Sequence, residues 1–194
     1  MTKQRDAHIW EKAKDGFYVE PSWCSRRLFE VERFERLIID PACGWGTITN
    51  EATAAGYRSY GCDIVNRRRH QLGGNFFKRD FLTNPLRVEG KKFSVVTNPP
   101  FDYVEEFARQ ALAIGASSVA MIMLVRRLNA AHWLRELPLS KIYLLTPRPS
   151  MPPGSWIASG HKPGGGTQDF CWILISKGST VRSAPILHWL DRDD

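Results

Sequence analysis

Thr97–Asn98–Pro99–Pro100–Phe101 is a run of residues that folding alone does not explain. Two consecutive prolines fix the chain and withhold two N–H donors. The Asn98 side-chain oxygen and the neighbouring carbonyls are then acceptors without local competition, and the following aromatic offers a stacking face. Such a set suits an exocyclic amine on a base such as adenine, a poor nucleophile because its lone pair is delocalised into the ring. Acceptors from Asn98 and from the Pro99 carbonyl would bind its two hydrogens and localise the lone pair on nitrogen. The nitrogen could then attack a methyl group held in line on a sulfonium. No general base of matched pKa is needed, because positioning alone supplies roughly 7–11 kcal/mol and directed dipoles add to it. A base inside a duplex would have to flip out, at a cost of roughly a few kcal/mol. Stacking on Phe101 would return about 1–3 kcal/mol.

A second constellation is Asp40–Pro41–Ala42–Cys43–Gly44–Trp45–Gly46. An apolar run ends in an acid, the chain turns at two glycines, and a helical pattern begins. Gly44 and Gly46 let a ligand approach the main chain. It is not a phosphate loop: it lacks the Gly-Lys-Ser/Thr ending, and its acid would repel phosphate. That acid suits a ligand carrying an ammonium group. Asp63 ends the next apolar run, where an acid accepts hydrogen bonds from ribose hydroxyls; the competing role is a helix cap before Asn66. Asp80 precedes Phe81, and a carboxylate beside an aromatic can hold an adenine by its amine and its face.

The elements that must position these residues follow from apolar periodicity. Strands are expected at 37–40, 57–65, 91–101, 117–125, 141–147 and 169–176. Residues 17–34 read as an extended piece around Pro21 and then a helix with Leu28, Val31 and Phe34 on one face. A helix at 47–56 is closed by Gly56. Another at 102–115 places Val104, Phe107, Ala108, Ala111 and Leu112 on one side. Residues 148–168, rich in glycine and proline, read as a non-helical loop, and a loop this long in a compact domain is usually functional. The alternation implies an α/β fold: a mostly parallel sheet, helices on both faces and an antiparallel edge. In such sheets ligands bind at the carboxyl ends of the strands, where Asp40, Asp63 and Asn98 all fall.

Composition bounds the rest. A chain of 194 residues is expected to form one domain, here 17–194, preceded by a polar arm at 1–16. The net charge of +7 favours a polyanionic partner. The four cysteines form no C-x-x-C pair and have no histidine at ligand spacing, so no metal is expected. The polar, charged start and the unstapled cysteines read as cytoplasmic with reduced thiols. The longest apolar stretch, 111–125, is too short to span a bilayer, so no membrane partner is expected.

In that order, DPACGWG, Asp63, RDF and NPPF resemble the motif series of class I S-adenosylmethionine-dependent methyltransferases. NPPF is similar to the [DNS]PP[YFW] signature of amino-group methyltransferases, chiefly the DNA adenine-N6 enzymes, and the chain looks like the small enzymes of phages and prophages. FYVEPSWCSRRL resembles the N-terminal element that helps close over the methionine end of the cofactor, through Tyr18 and Pro21, with Glu20 where a threonine is often seen. The resemblance covers most of 17–176 and implies a Rossmann-like, seven-stranded, mostly parallel sheet with an antiparallel C-terminal strand pair. It implies Asp40, Pro41, Ala42, Cys43, Gly44 and Gly46 around the methionine part of the cofactor. Asp63, with Ile64 beside it, falls at the ribose, and Asp80 with Phe81 at the adenine. Asn98, also bordering the cofactor, would hold the target base with Pro99, Pro100 and Phe101.

The implied function is methylation of the N6 amine of adenine in DNA. Amino methylation of RNA, and then of a protein glutamine amide, are the alternatives. A binding module with a vestigial cofactor site would need a broken motif, and none is broken. A dehydrogenase would need G-x-G-x-x-G. Enzymes of this type that read a sequence usually carry a recognition domain, for which no spare segment is large enough here. The 147–169 loop would take that job: Arg148, His161 and Lys162 on phosphates, Trp156 stacking or filling the gap of a flipped base. Arg126 and Arg127 would lie near the catalytic rim, and Arg67, Arg68 and Arg69 along the backbone.

Overall fold

The computed structural model describes residues 16–67 and 75–193. The expected polar arm up to residue 15, and Arg68 and Arg69, lie outside the described residues. The chain runs α1 (Ser22–Val31), β1 (Leu37–Asp40), α2 (Thr47–Ala54), β2 (Arg58–Asp63), β3 (Asn75–Lys78), β4 (Ser94–Thr97), α3 (Val104–Ala113), β5 (Ser118–Leu124), β6 (Leu139–Thr146), α4 (Gly154–Ala158), β7 (Phe170–Ser176) and β8 (Ile186–Asp191). One sheet holds the strands in the order β3-β2-β1-β4-β5-β7-β6-β8.

Side-chain alternation along the central strands explains why this sheet is covered on both faces. In β5, Val119, Met121 and Met123 point to one apolar cluster, and Ala120, Ile122 and Leu124 to the other. In β7, Cys171, Ile173 and Ile175 face the first cluster, and Phe170, Trp172 and Leu174 the second. Helix α3 closes the first face with Val104, Phe107, Ala108 and Ala111, the stripe its periodicity predicts. Helices α1 and α2 close the second face with Trp23, Leu28, Ile48 and Ala52. The buried Trp172 indole donates to the Cys24 carbonyl at 3.0 Å, tying the sheet to α1.

Four expectations change. The sheet has eight strands rather than seven, because β8 adds in parallel to β6. The antiparallel element is not at the edge: β7 is inserted between β5 and β6 and runs against both. Strand order depends on long-range pairing, and β8 is ambiguous locally because Trp189 is 65% exposed. The 147–169 loop is not wholly irregular, since Pro153 stands at the N-cap of the short α4, a place where proline forfeits no helical hydrogen bond. Helix α1 ends at Val31, which is 46% exposed, so its buried stripe is Trp23, Cys24, Leu28 and Phe29. Phe34 lies beyond the helix and packs edge-on against Phe29.

Candidate active site

A cavity of about 1200 Å³ opens at the carboxyl ends of β1, β2, β4 and β5. It gathers Tyr18, Pro41 to Gly44, Asp63, Ile64, Asp80, Phe81, Asn98, Pro100, Phe101 and Arg126. These are most of the residues singled out in the sequence. Asp40, Pro21, Gly46 and Pro99 adjoin lining residues without lining the cavity themselves.

The glycine turn takes the shape expected of it. Gly44 and Gly46 have φ of 47° and 88°, and the Cys43 N–H donates to the Cys62 carbonyl at 2.9 Å. What sequence reasoning missed is the partner of that turn. A Cβ on Gly44 would lie 2.4 Å from the Phe17 ring, and one on Gly154 would lie 2.0 Å from it. Phe17 is therefore inserted between the glycine turn and α4, at separations no motif spacing reveals. Trp45 meets its ring edge-on at 5.7 Å, and the Arg67 guanidinium lies 4.8 Å from its centre. Backbone bonds from Val19 N–H to the Pro152 carbonyl (3.0 Å) and from Gly154 N–H to the Phe17 carbonyl (3.2 Å) tie the two segments together. Gly154→Ala is expected to displace Phe17 and lower stability by about 1–3 kcal/mol, as overpacking does. An unchanged thermal midpoint would show that the ring has room to move.

Each acid has a different task. Asp40 is buried, and its Oδ1 accepts from the Thr97 hydroxyl (2.7 Å) and the Ala42 N–H (3.2 Å). It joins the ends of β1 and β4. Burial, with smaller contributions from the charges of Glu20 and Asp63, holds its carboxyl well above the usual range. Asp63 accepts from the N–H groups of Gly44 and Val65 and from Arg67 Nη1, all at 2.9 Å. Arg67 thus points into the cavity and not along an outer surface. The helix-cap alternative for Asp63 gives way to a local turn bonded to Val65. The Asp80 Oδ1 accepts from Leu82 N–H at 2.9 Å, while Phe81, only 1% exposed, tilts against Phe107 and forms cavity floor.

Asn98 is the least conventional member. Its Nδ2 donates to Glu20 Oε2 at 2.9 Å and approaches the Tyr18 carbonyl at 3.5 Å. Its Oδ1 is buried and has no hydrogen-bond partner among the described residues. A buried acceptor in that state is costly unless a ligand completes it. Burial raises the Glu20 carboxyl from 4.5 to about 7, against the opposing hydrogen bond from Asn98. The Phe101 ring lies nearly parallel to Tyr18 at 5.9 Å and tilts against Phe170 at 5.7 Å. Arg127 holds this corner, donating to the Phe101 carbonyl and pairing with Asp102 at 3.2 Å.

The 147–169 loop carries its own local pairings and reaches the cavity at few points. Arg148 is engaged by both oxygens of Asp169 (2.6 and 3.3 Å), and Trp156 and His161 stack on each other with ring centres 4.0 Å apart. Neither these three nor the exposed Lys162 borders the cavity; the segment reaches it through Met151, Thr167 and Gln168. Among the described residues no group of three or more His, Cys, Asp and Glu side chains is arranged to hold a metal. No helix among them is long and apolar enough to cross a membrane.

Comparison with solved structures matches this arrangement to known ones. Protein PH1948 of Pyrococcus horikoshii superposes with a TM-score of 0.60 at 16% identity, over 89% of this chain and 94% of that one. The 23S rRNA methyltransferase ErmE gives 0.56 at 14%, over 87% and 72%. A TehB-like SAM-dependent methyltransferase from Corynebacterium glutamicum gives 0.54 at 14%, over 89% and 90%. The chain has the Rossmann-like methyltransferase fold. In this methyltransferase fold the glycine turn, Asp63 and Asn98 stand at the ends of β1, β2 and β4. No family model matches the sequence. In sequence, the chain is 32% identical to the type II methyltransferase M.VspI of Vibrio sp. (strain 343), in an alignment of 107 residues covering 46% of this chain and 26% of that protein. The chain thus matches about a quarter of that relative's length.

Proposed function

We propose that the chain transfers a methyl group from S-adenosylmethionine to the exocyclic N6 amine of adenine in DNA. The observation that carries this reading is the buried Asn98 Oδ1, which has no partner while the Nδ2 of the same amide is held by Glu20. An acceptor fixed in that way is complementary to an N–H of an amine. The Pro100 carbonyl is already taken by Tyr103 N–H at 2.9 Å, and the Pro99 carbonyl is the acceptor we assign to the second hydrogen. Phe101, backed by Tyr18 and Phe170, is the stacking face. The partial likeness to a type II methyltransferase and the net charge of +7 support a nucleic-acid substrate. Arg126, after β5 and on the cavity rim, is the cation we place at its phosphates.

The residues present fit the cofactor. Two carboxyls held above their usual range, Glu20 lining the cavity and Asp40 adjoining lining residues, favour a ligand that brings a cation. Asp63, Ile64, Asp80 and Phe81 would take the ribose and adenine, and Cys43 and Gly44 the methionine part. When bound, S-adenosylmethionine supplies a methyl group activated on a sulfonium.

Two experiments test this. The protein is incubated with S-adenosylmethionine and either unmethylated DNA or RNA, and the digested nucleosides are read by mass spectrometry. N6-methyladenine from DNA is expected. Product from RNA alone would move the substrate, and no product from either would point to a protein amide. Asp63→Ala is expected to weaken cofactor binding by at least about tenfold, the effect of losing a charged hydrogen-bond acceptor. An unchanged Kd by calorimetry would remove Asp63 from the ribose site.

A further inference from the structure

Glu20 lines the cavity two residues after Tyr18 and is 8% exposed. A carboxylate in such a place needs a reason. It faces Asn98 across 2.9 Å, and it also receives a bond from the Thr47 side chain at the start of α2. The titratable groups that sense its charge are Asp40 at the end of β1 and Cys24 on α1. Among the described residues, no Lys or Arg is paired with it. One of its hydrogen-bond partners is thus the amide whose other end is the unpartnered acceptor.

We propose that Glu20 is a positioning residue: accepting from Asn98 Nδ2, its carboxylate leaves Oδ1 as the unpartnered end of the amide, so the amine acceptor exists only while Glu20 is ionised. This rests on the function proposed above. An amide has two nearly equal faces, and its orientation is decided by its hydrogen-bond partners. An ionised Glu20 only accepts, so it must face Nδ2. A protonated Glu20 can donate, and the amide then gains by turning Oδ1 towards it. That rotation would present Nδ2 to an incoming amine, donor against donor. The raised carboxyl of Glu20, about 7 in the ligand-free protein, puts this change close to neutral pH.

The first test needs no turnover. In nitrogen-15 labelled protein, the Asn98 side-chain amide signals are identified by their loss in Asn98→Asp. Between about pH 5.5 and pH 8.5 they are expected to shift with a midpoint near 7 in the wild type, following Glu20. In Glu20→Gln, whose carbonyl can still accept but which does not titrate, they are expected to be insensitive to pH. Signals insensitive to pH in the wild type, or shifting equally in Glu20→Gln, would overturn the proposal.

The second test is kinetic, at saturating S-adenosylmethionine, on variants whose melting confirms folding. Glu20→Ala is expected to lower kcat at least about 30-fold at saturating cofactor, beyond any rise in the cofactor Kd, and Glu20→Gln to recover most of that kcat loss without the acid limb of the pH profile. A raised cofactor Kd with kcat intact would assign Glu20 to the cofactor and overturn the positioning role. If wild type methylates neither DNA nor RNA, the proposed substrate fails, while the spectroscopic arm still decides the Glu20–Asn98 contact.

Discussion

Asn98→Ala is expected to reduce methyl transfer by about 10²–10³-fold, the usual effect of removing one preorganised polar group from a reacting centre. The side chain is half-buried, so truncation removes two hydrogen bonds from its amide without opening a large cavity. Cofactor affinity is expected to stay within about threefold, because the cofactor is assigned to Asp63, the glycine turn and the Asp80 corner. The loss should therefore fall on kcat. Asn98→Asp is the sharper variant. It keeps an acceptor at the same place but sets a second carboxyl beside Glu20, where the wild-type contact is 2.9 Å. Two acids that close share a proton, so Asn98→Asp should be active only in part and with a pH profile shifted from wild type. Activity of Asn98→Ala equal to wild type, measured by radiolabelled methyl incorporation, would remove this residue from the reaction.

The second large effect is on stability against pH. Glu20 moves from 4.5 to about 7 on folding, mainly through burial. Its folded form therefore prefers the protonated state. The corresponding stability is fully present below about pH 4.5 and is lost as pH rises through about 7. The total is about 3 kcal/mol, since each tenfold change in a proton's binding constant is worth about 1.4 kcal/mol. Asp40 is raised in the same direction by the same cause. Glu20→Gln should then raise the melting temperature of the ligand-free protein at pH 8 by several degrees and change it little at pH 5, at about 2–4 °C for each kcal/mol in a chain of this size. The comparison of variant with wild type isolates Glu20 from the other titrating groups. A pH-independent difference between them would refute the assignment. A bound cofactor carrying an ammonium should offset the same penalty, so its thermal shift should be larger at pH 8 than at pH 6.

The Asn98 and Asp63 predictions could be framed from residue types alone, whereas the Gly154 and Glu20 predictions could not. Asp40, Asp63 and Asn98 announce themselves because each ends an apolar run, and in a parallel sheet the ends of such runs converge on one edge. Gly44 and Gly46 are legible because a strand-to-helix turn needs left-handed backbone, which glycine adopts without a Cβ penalty. These are signals carried by neighbours along the chain. The contact of Glu20 with Asn98 spans 78 residues, and Phe17 joins Gly44 to Gly154. Only packing in three dimensions brings those pairs together, and no periodicity encodes them. The same cause sets the partners of Arg67, Arg148, Trp156 and His161. Their charge and aromatic character are visible in the sequence, but whether an arginine faces a ligand, a phosphate or Asp169 depends on which acid the fold places beside it. The sequence by itself determined the fold class, the turn and the acceptor motif, since each rests on local conformation. The tertiary structure alone decided which atom of the Asn98 amide is held by Glu20 and which is left without a partner, and which acids line the cavity, because burial and hydrogen bonding over long chain separations set those outcomes.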